Sequence, residues 1–210
     1  MRRSSKTLLP VAGLLLAAFA PAPVTVEDAL AGTAGRWQGE LQYRDYQSDR
    51  WQGLPVTIEI GVQPDRVTIL RTASYDDGPQ TGIVTITTAT LFDATANEVR
   101  YAILRRGRAV DTGAATIERF APGADTAHWT LTMIEHRMDG TDRAQVRETT
   151  VRDGDRMVTT KSVNPDADGT DQWLPRNRTV LERVASYSPA PQGATLSTPK
   201  MPRGGRSKMK

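Results

Sequence analysis

From Gly35-Arg36-Trp37 onward the chain breaks into about ten short segments rich in Thr, Val and Ile, and nothing later interrupts the rhythm. Strands of that length in hairpin succession leave a closed up-and-down barrel or a two-sheet sandwich as the available architectures. The spacing predicts strands near 36–46, 54–62, 66–75, 82–92, 97–106, 108–120, 127–138, 143–152, 156–163 and 176–184. Turn residues separate them: Pro64-Asp65, Asp76-Asp77-Gly78-Pro79, Arg106-Gly107, Pro122-Gly123, Asp139-Gly140 and Asp153-Gly154-Asp155. Asp-Gly between two β-rich runs, at 139–140 and 153–154, is the most specific of these hairpin signals. Val56, Ile58 and Ile60 share one strand face, and so do Trp129, Leu131 and Met133, as strands covering a single core require. The expected fold is an all-β, antiparallel up-and-down barrel of about eight to ten strands over residues 35–185. At Asp93–Arg106 a helix capped by Asp93 is the alternative, and at 66–75 and 108–120 both strand faces are mixed.

The ends differ from the middle. Arg2, Arg3 and Lys6 precede an uncharged apolar run from Leu8 to Ala20, too short for the roughly twenty residues that cross a bilayer. Residues 1–22 therefore read as an export signal, with an uncleaved anchor as the alternative reading. Proline after each nearer small-x-small site (Pro21, Pro23) leaves Ala29-Leu30-Ala31 as a later cleavage candidate. Residues 23–34 form a short lead-in, with a helical turn over 24–32 ended by Gly32. Residues 186–210 are rich in Ser, Pro, Gly, Lys and Arg, a composition that cannot bury enough surface to fold, and read as a disordered basic tail. With +3 in the signal and +5 in the tail out of +3 overall, residues 23–185 carry −5. An acidic domain argues against nucleic acid as a partner. The tail would attract an anionic envelope surface weakly. The expected location is periplasmic or secreted, with no transmembrane segment after processing. Without cysteine there are no disulfides, thiolate metal sites or cysteine nucleophiles.

No motif names a reaction, and no catalytic residue, cofactor or metal is assigned. Ser48, Ser74 and Ser162 lack a nucleophile elbow. Asp166, Asp168 and Asp171 lack the terminal bidentate carboxylate of a calcium loop. Asp45, Asp76, Asp77, Glu135 and Glu148 could gather at a barrel mouth, where paired carboxylates do acid–base work, or simply charge strand edges. His128 and His136 lie eight apart in one strand, too far to share a metal. A barrel of this size either fills its interior or keeps a cavity for one small ligand. For a cavity, the lining candidates are Tyr43, Arg71, Tyr101 and Glu135, with His136 near the mouth. Buried Arg71 would need Glu135 or an anionic ligand group as partner, or else reaches solvent.

Gly35-x-Trp37 at the head of the strand train, with Arg178 and Arg183 in the last strand, resembles the calycin-like barrels: lipocalins, fatty-acid-binding proteins and bacterial relatives. The phrase Tyr43-Arg44-Asp45-Tyr46-Gln47 is similar to exported bacterial proteins of this general type and carries no activity with it. The resemblance implies that Gly35, Trp37 and either Arg178 or Arg183 close one barrel end, a guanidinium over the indole contributing about 1–2 kcal/mol. It also implies a small apolar or amphipathic ligand in the interior. Some such barrels hold haem through one histidine, but His128 and His136 read as surface or mouth residues. The arginine-x-tyrosine carboxylate clamp of fatty-acid-binding proteins is absent. The expected function is ligand binding by an exported barrel. The alternatives are a packed envelope interaction module and, further off, an enzyme with acid–base groups at the mouth.

Overall fold

Each strand commits its alternate side chains to one buried face, and those faces close around a single interior. The structure, a computed structural model, describes residues 22–45 and 50–184. The predicted signal and tail therefore lie almost wholly outside the described residues, as does Ser48. After a short helix α1 (Val26–Ala31) come β1 (Gly35–Asp45), β2 (Arg50–Val62) and β3 (Thr68–Asp76). A one-turn helix α2 (Gly78–Thr81) leads to β4 (Ile83–Asp93), β5 (Glu98–Arg105) and β6 (Asp111–Pro122). The chain continues through β7 (His128–Asp139), β8 (Asp142–Asp153), β9 (Arg156–Pro165), a 3₁₀ turn (Asp166–Asp168) and β10 (Leu174–Arg183). All ten strands pair antiparallel with their sequence neighbours, and β10 returns to β1 to close the barrel.

The ten expected strands are present, and no end is displaced by more than four residues. The helical alternative at 93–106 does not form. Asp93 Oδ1 instead accepts the N–H groups of Thr95 and Ala96 at 3.0 Å, making a turn with Asn97 at φ 54. The two Asp-Gly hairpins use different residues from those expected. Asp139 pairs with Asp142 and Asp153 with Arg156, so the two-residue loops are Gly140-Thr141 and Gly154-Asp155. Glycine holds the first central position at φ 72 and 64, the requirement of a type II′ turn.

The α1 end of the barrel is sealed. A capping box joins Thr25 and Asp28 at the start of α1, and the N–H of Gly32 closes its end on Asp28 O at 2.9 Å. Ala29, fully buried, packs with Val99, Ile117, Trp129 and Leu131, while Trp37 lies among Ile58, Ile60, Ile69 and Leu181. The Trp37 indole N–H donates to Thr33 O at 2.9 Å. The Arg183 guanidinium lies 4.4 Å from the ring centre and that of Arg152 5.5 Å. Both donate to Gly32 O, and Arg183 also reaches Ala34 O at 2.6 Å. Gly35 is required here. Its φ of +131 suits glycine, and an added Cβ would stand 2.7 Å from Arg183 Nη1. Arg178, the other expected partner of Trp37, faces outward. It stacks on Trp51 at 4.4 Å and donates to Gln42 Oε1 at 2.7 Å. Arg178 and Arg183 are five positions apart, an odd offset, so a strand must send them to opposite faces.

Trp37→Ala should cost about 3–5 kcal/mol, the range for truncating a fully buried large aromatic. Denaturant unfolding followed by far-UV circular dichroism measures it, and a loss below about 1 kcal/mol would show that the seal contributes little.

Candidate functional site

Inside the barrel lies a cavity of about 780 Å³. That volume falls within the range of small-molecule sites. Leu30 of α1, Val99, Leu131, Met157 and Leu181 form its apolar floor, directly above the sealed base. The opposite half is polar because the inward positions near the far strand ends carry charge: Arg105 on β5, Glu135 and Arg137 on β7, Glu148 on β8 and Lys161 on β9. Tyr43, 48% exposed, and the exposed Arg105 stand where the cavity reaches solvent.

One hydrogen-bonded unit organises the polar wall. The Tyr101 hydroxyl donates to Glu135 Oε2 at 2.6 Å, and Glu135 Oε1 meets Arg137 Nη1 at 3.2 Å. The Tyr101 ring lies over Gly113, where any Cβ would fall 2.4 Å from the hydroxyl. Burial, followed by the hydrogen bond to Glu135, pushes the Tyr101 phenol up from 10.0 to about 12. Burial also raises the Tyr43 phenol, helped by Tyr75 and Asp77. Two strands from β7, on β9, burial lowers the Lys161 ammonium, and the Arg137 charge adds to it, while Glu148, Asp139 and Glu135 oppose. Arg137 Nε is shut off from solvent with no hydrogen-bond partner among the described residues.

Of the five ligand candidates read from the sequence, Tyr43, Arg71, Tyr101 and Glu135 line this cavity. His136 does not: it follows Glu135 directly on β7, so alternation turns it to the outer face, where it is exposed. Arg71 does not meet Glu135, which is held by Tyr101 and Arg137, and no carboxylate pairs with Arg71 among the described residues. His128 also stands on the outer face, with Nδ1 2.7 Å from Asp125 Oδ1. No histidine lines the cavity, so a histidine-held haem has no ligand there among the described residues.

Asp77 and Glu148 line the cavity and Asp76 is exposed outside it, while the Asp45 side chain lies outside the described residues. Ser74 and Ser162 share the outer faces of β3 and β9. The described residues hold no cluster of three or more His, Asp or Glu arranged for a metal, and the Asp168 side chain lies outside them. Sequence reasoning passed over Arg137 and Lys161. Arg137 stands two residues beyond Glu135 and so shares its face, and Lys161 is the single lysine between residues 22 and 184.

Glu135→Gln should lower the Tyr101 phenol from about 12 while leaving it above 10.0, because burial remains when the charged acceptor is gone. A phenol raised in the fold contributes stability in full below pH 10, and the contribution is lost as pH climbs through about 12. Phenolate absorbance during alkaline titration, with Tyr101→Phe identifying the signal, reads the change. An unaltered titration would mean that Glu135 does not hold the hydroxyl.

No protein-family model matches the chain. No curated protein sequence matches it either. Among solved structures, the crystal structure of Rv2717c from M. tuberculosis superposes with a TM-score of 0.52 at 12% identity, covering 78% of this chain and 100% of that one. The similarity is one of fold: a closed, ten-stranded antiparallel barrel.

Proposed function

We propose that the protein is a carrier or sensor that takes one small amphipathic molecule into a calycin-like barrel, apolar body downward and polar head at the charged wall. The observation that carries this reading is the graded cavity of about 780 Å³, apolar at the sealed base and charged toward the mouth. Burial of the apolar body against Leu131, Met157 and Leu181 supplies the driving force, about 25 cal/mol per Å² of apolar surface removed from water. The head is a hydrogen-bond acceptor. Arg71, Arg105 and Lys161 line the wall without an ion-pair partner among the described residues, and their free donors support an accepting head. With residues 1–22 as an export signal, the site works in the periplasm or outside the cell. A packed interaction module is the weaker reading, because a filled interior is what it needs.

Native mass spectrometry of the isolated protein should detect a bound small molecule that solvent extraction removes. Ala115 lines the cavity and is 8% exposed. Ala115→Phe should therefore fill the space and weaken binding of dodecanol at least about tenfold, the equivalent of roughly 1.4 kcal/mol, with the β circular-dichroism spectrum retained. Displacement of a fluorescent anilinonaphthalene sulfonate measures the affinity, and equal affinity in the two proteins would remove the cavity from the account.

A further inference from the structure

Between residues 22 and 184 the chain carries eighteen arginines and one lysine, and that lysine, Lys161, lines the cavity. The distinction is chemical. A guanidinium stays protonated and is no nucleophile at ordinary pH, whereas a partly desolvated ammonium can release its proton and expose a lone pair. The surface of the domain uses arginine throughout, so its only side-chain amine is the one that a cavity ligand meets.

The surroundings of Lys161 suit an amine kept reactive. No carboxylate lies within ion-pair distance of it among the described residues, so it is not tied down as a structural cation. Its direct cross-strand partners are Glu148 on β8 and, on β10, the neutral Asn177. Directly paired residues hold their Cβ atoms about 5 Å apart, which puts the Glu148 carboxylate beside the amine without engaging it. From β7, Arg137, Glu135 and Asp139 also act on it: Arg137 discourages the ammonium and the carboxylates favour it, while burial is the largest influence and disfavours the charge. Below the amine lies the apolar floor that would hold the body of a ligand.

We propose that Lys161 is a covalent ligand-binding site that captures apolar aldehydes or ketones as an imine. This deepens the amphiphile reading and rests on it, for the hydrogen-bond-accepting head is here a carbonyl. The neutral amine adds its lone pair to the carbonyl carbon, forming the C–N bond as the C=O π pair moves to oxygen. Two protons pass from nitrogen to that oxygen, the C–O bond breaks, and water leaves. Amine plus carbonyl compound gives imine plus water, with no oxidant or reductant. Glu148 is the group placed to carry protons between the two atoms, and Arg137 is placed to polarise the carbonyl oxygen.

The test uses the whole chain with dodecanal, borohydride to fix any imine as a secondary amine, and peptide mapping by mass spectrometry. Dodecanol serves as the non-reacting control. Lys161 should carry the reduced alkyl chain at neutral pH before the tail lysines Lys200, Lys208 and Lys210 do. Lys161→Arg and Lys161→Met should lose the adduct entirely while keeping the β circular-dichroism spectrum and probe binding in the cavity, with dodecanol held more weakly because a head-group donor is changed, and that separates chemistry from folding. Glu148→Gln should slow adduct formation by a larger factor than it changes dodecanol affinity, which a merely structural role would not do. Dodecanol binding with no adduct at Lys161, or with adducts confined to the tail, overturns the proposal and leaves the carrier reading standing. Failure of dodecanol to bind overturns both.

Discussion

Everything in this barrel depends on how its base is shut. Ten antiparallel strands close a cylinder, but a cylinder with two open ends would leave its apolar interior in water. Trp37 fills the lower end with a fully buried ring, and the two guanidinium groups beside it bind the carbonyls at the end of α1. The C-cap carbonyl of α1, Gly32 O, thus anchors both Arg152 and Arg183, its partial negative charge suiting the cations, and Ala34 O just beyond the helix holds Arg183 a second time. An arginine buried for its stacking would otherwise lack acceptors. Ring, cations and helix end each satisfy a need of the others, which is how three polar groups come to sit in an apolar base.

That seal decides what the upper half can be. With α1, Trp37 and Trp129 filling the bottom, inward residues farther up the strands are free of packing duty and carry charge instead. The inward face of β7 shows the change within one strand: Trp129, Leu131 and Met133 belong to the floor, Glu135 and Arg137 to the polar wall. The gradient is therefore written along individual strands. It gives the cavity a direction, apolar at the base and charged toward the mouth. Glu135 is spent holding Tyr101 and Arg137, which leaves Arg71, Arg105 and Lys161 as cavity cations with no ion-pair partner among the described residues.

Much of the architecture was legible because period-two alternation and turn chemistry are local. Val56-x-Ile58-x-Ile60 and the glycines of the tight hairpins need no tertiary information to be read. Choices that depend on strand face were harder. Arg178 and Arg183 looked equivalent as partners of Trp37 until the register set Arg183 opposite the indole. Chemistry alone groups Glu135 with His136 as ligand residues, although neighbours in a strand cannot both face inward. The face of β6 could not be read at all, because a register irregularity between Ile117 and Arg119 shifts its phase and brings Phe120 to the same cluster as Ile117. Lys161 went unnoticed because Lys161-Ser162 alternates polar with polar, so pattern gave no inward signal. Its rarity in the chain was the clue.

The central claim is a hollow barrel with a closed apolar base and a polar entrance. Dodecanol carrying bromine on its terminal carbon tests it most directly, soaked into crystals of the protein and located by anomalous scattering. The account predicts a single bromine peak deep in the interior beside Leu131, Met157 and Leu181, beneath the charged wall and above Trp37. A peak on the outer surface, or at the mouth beside Tyr43 and Arg105, would contradict it.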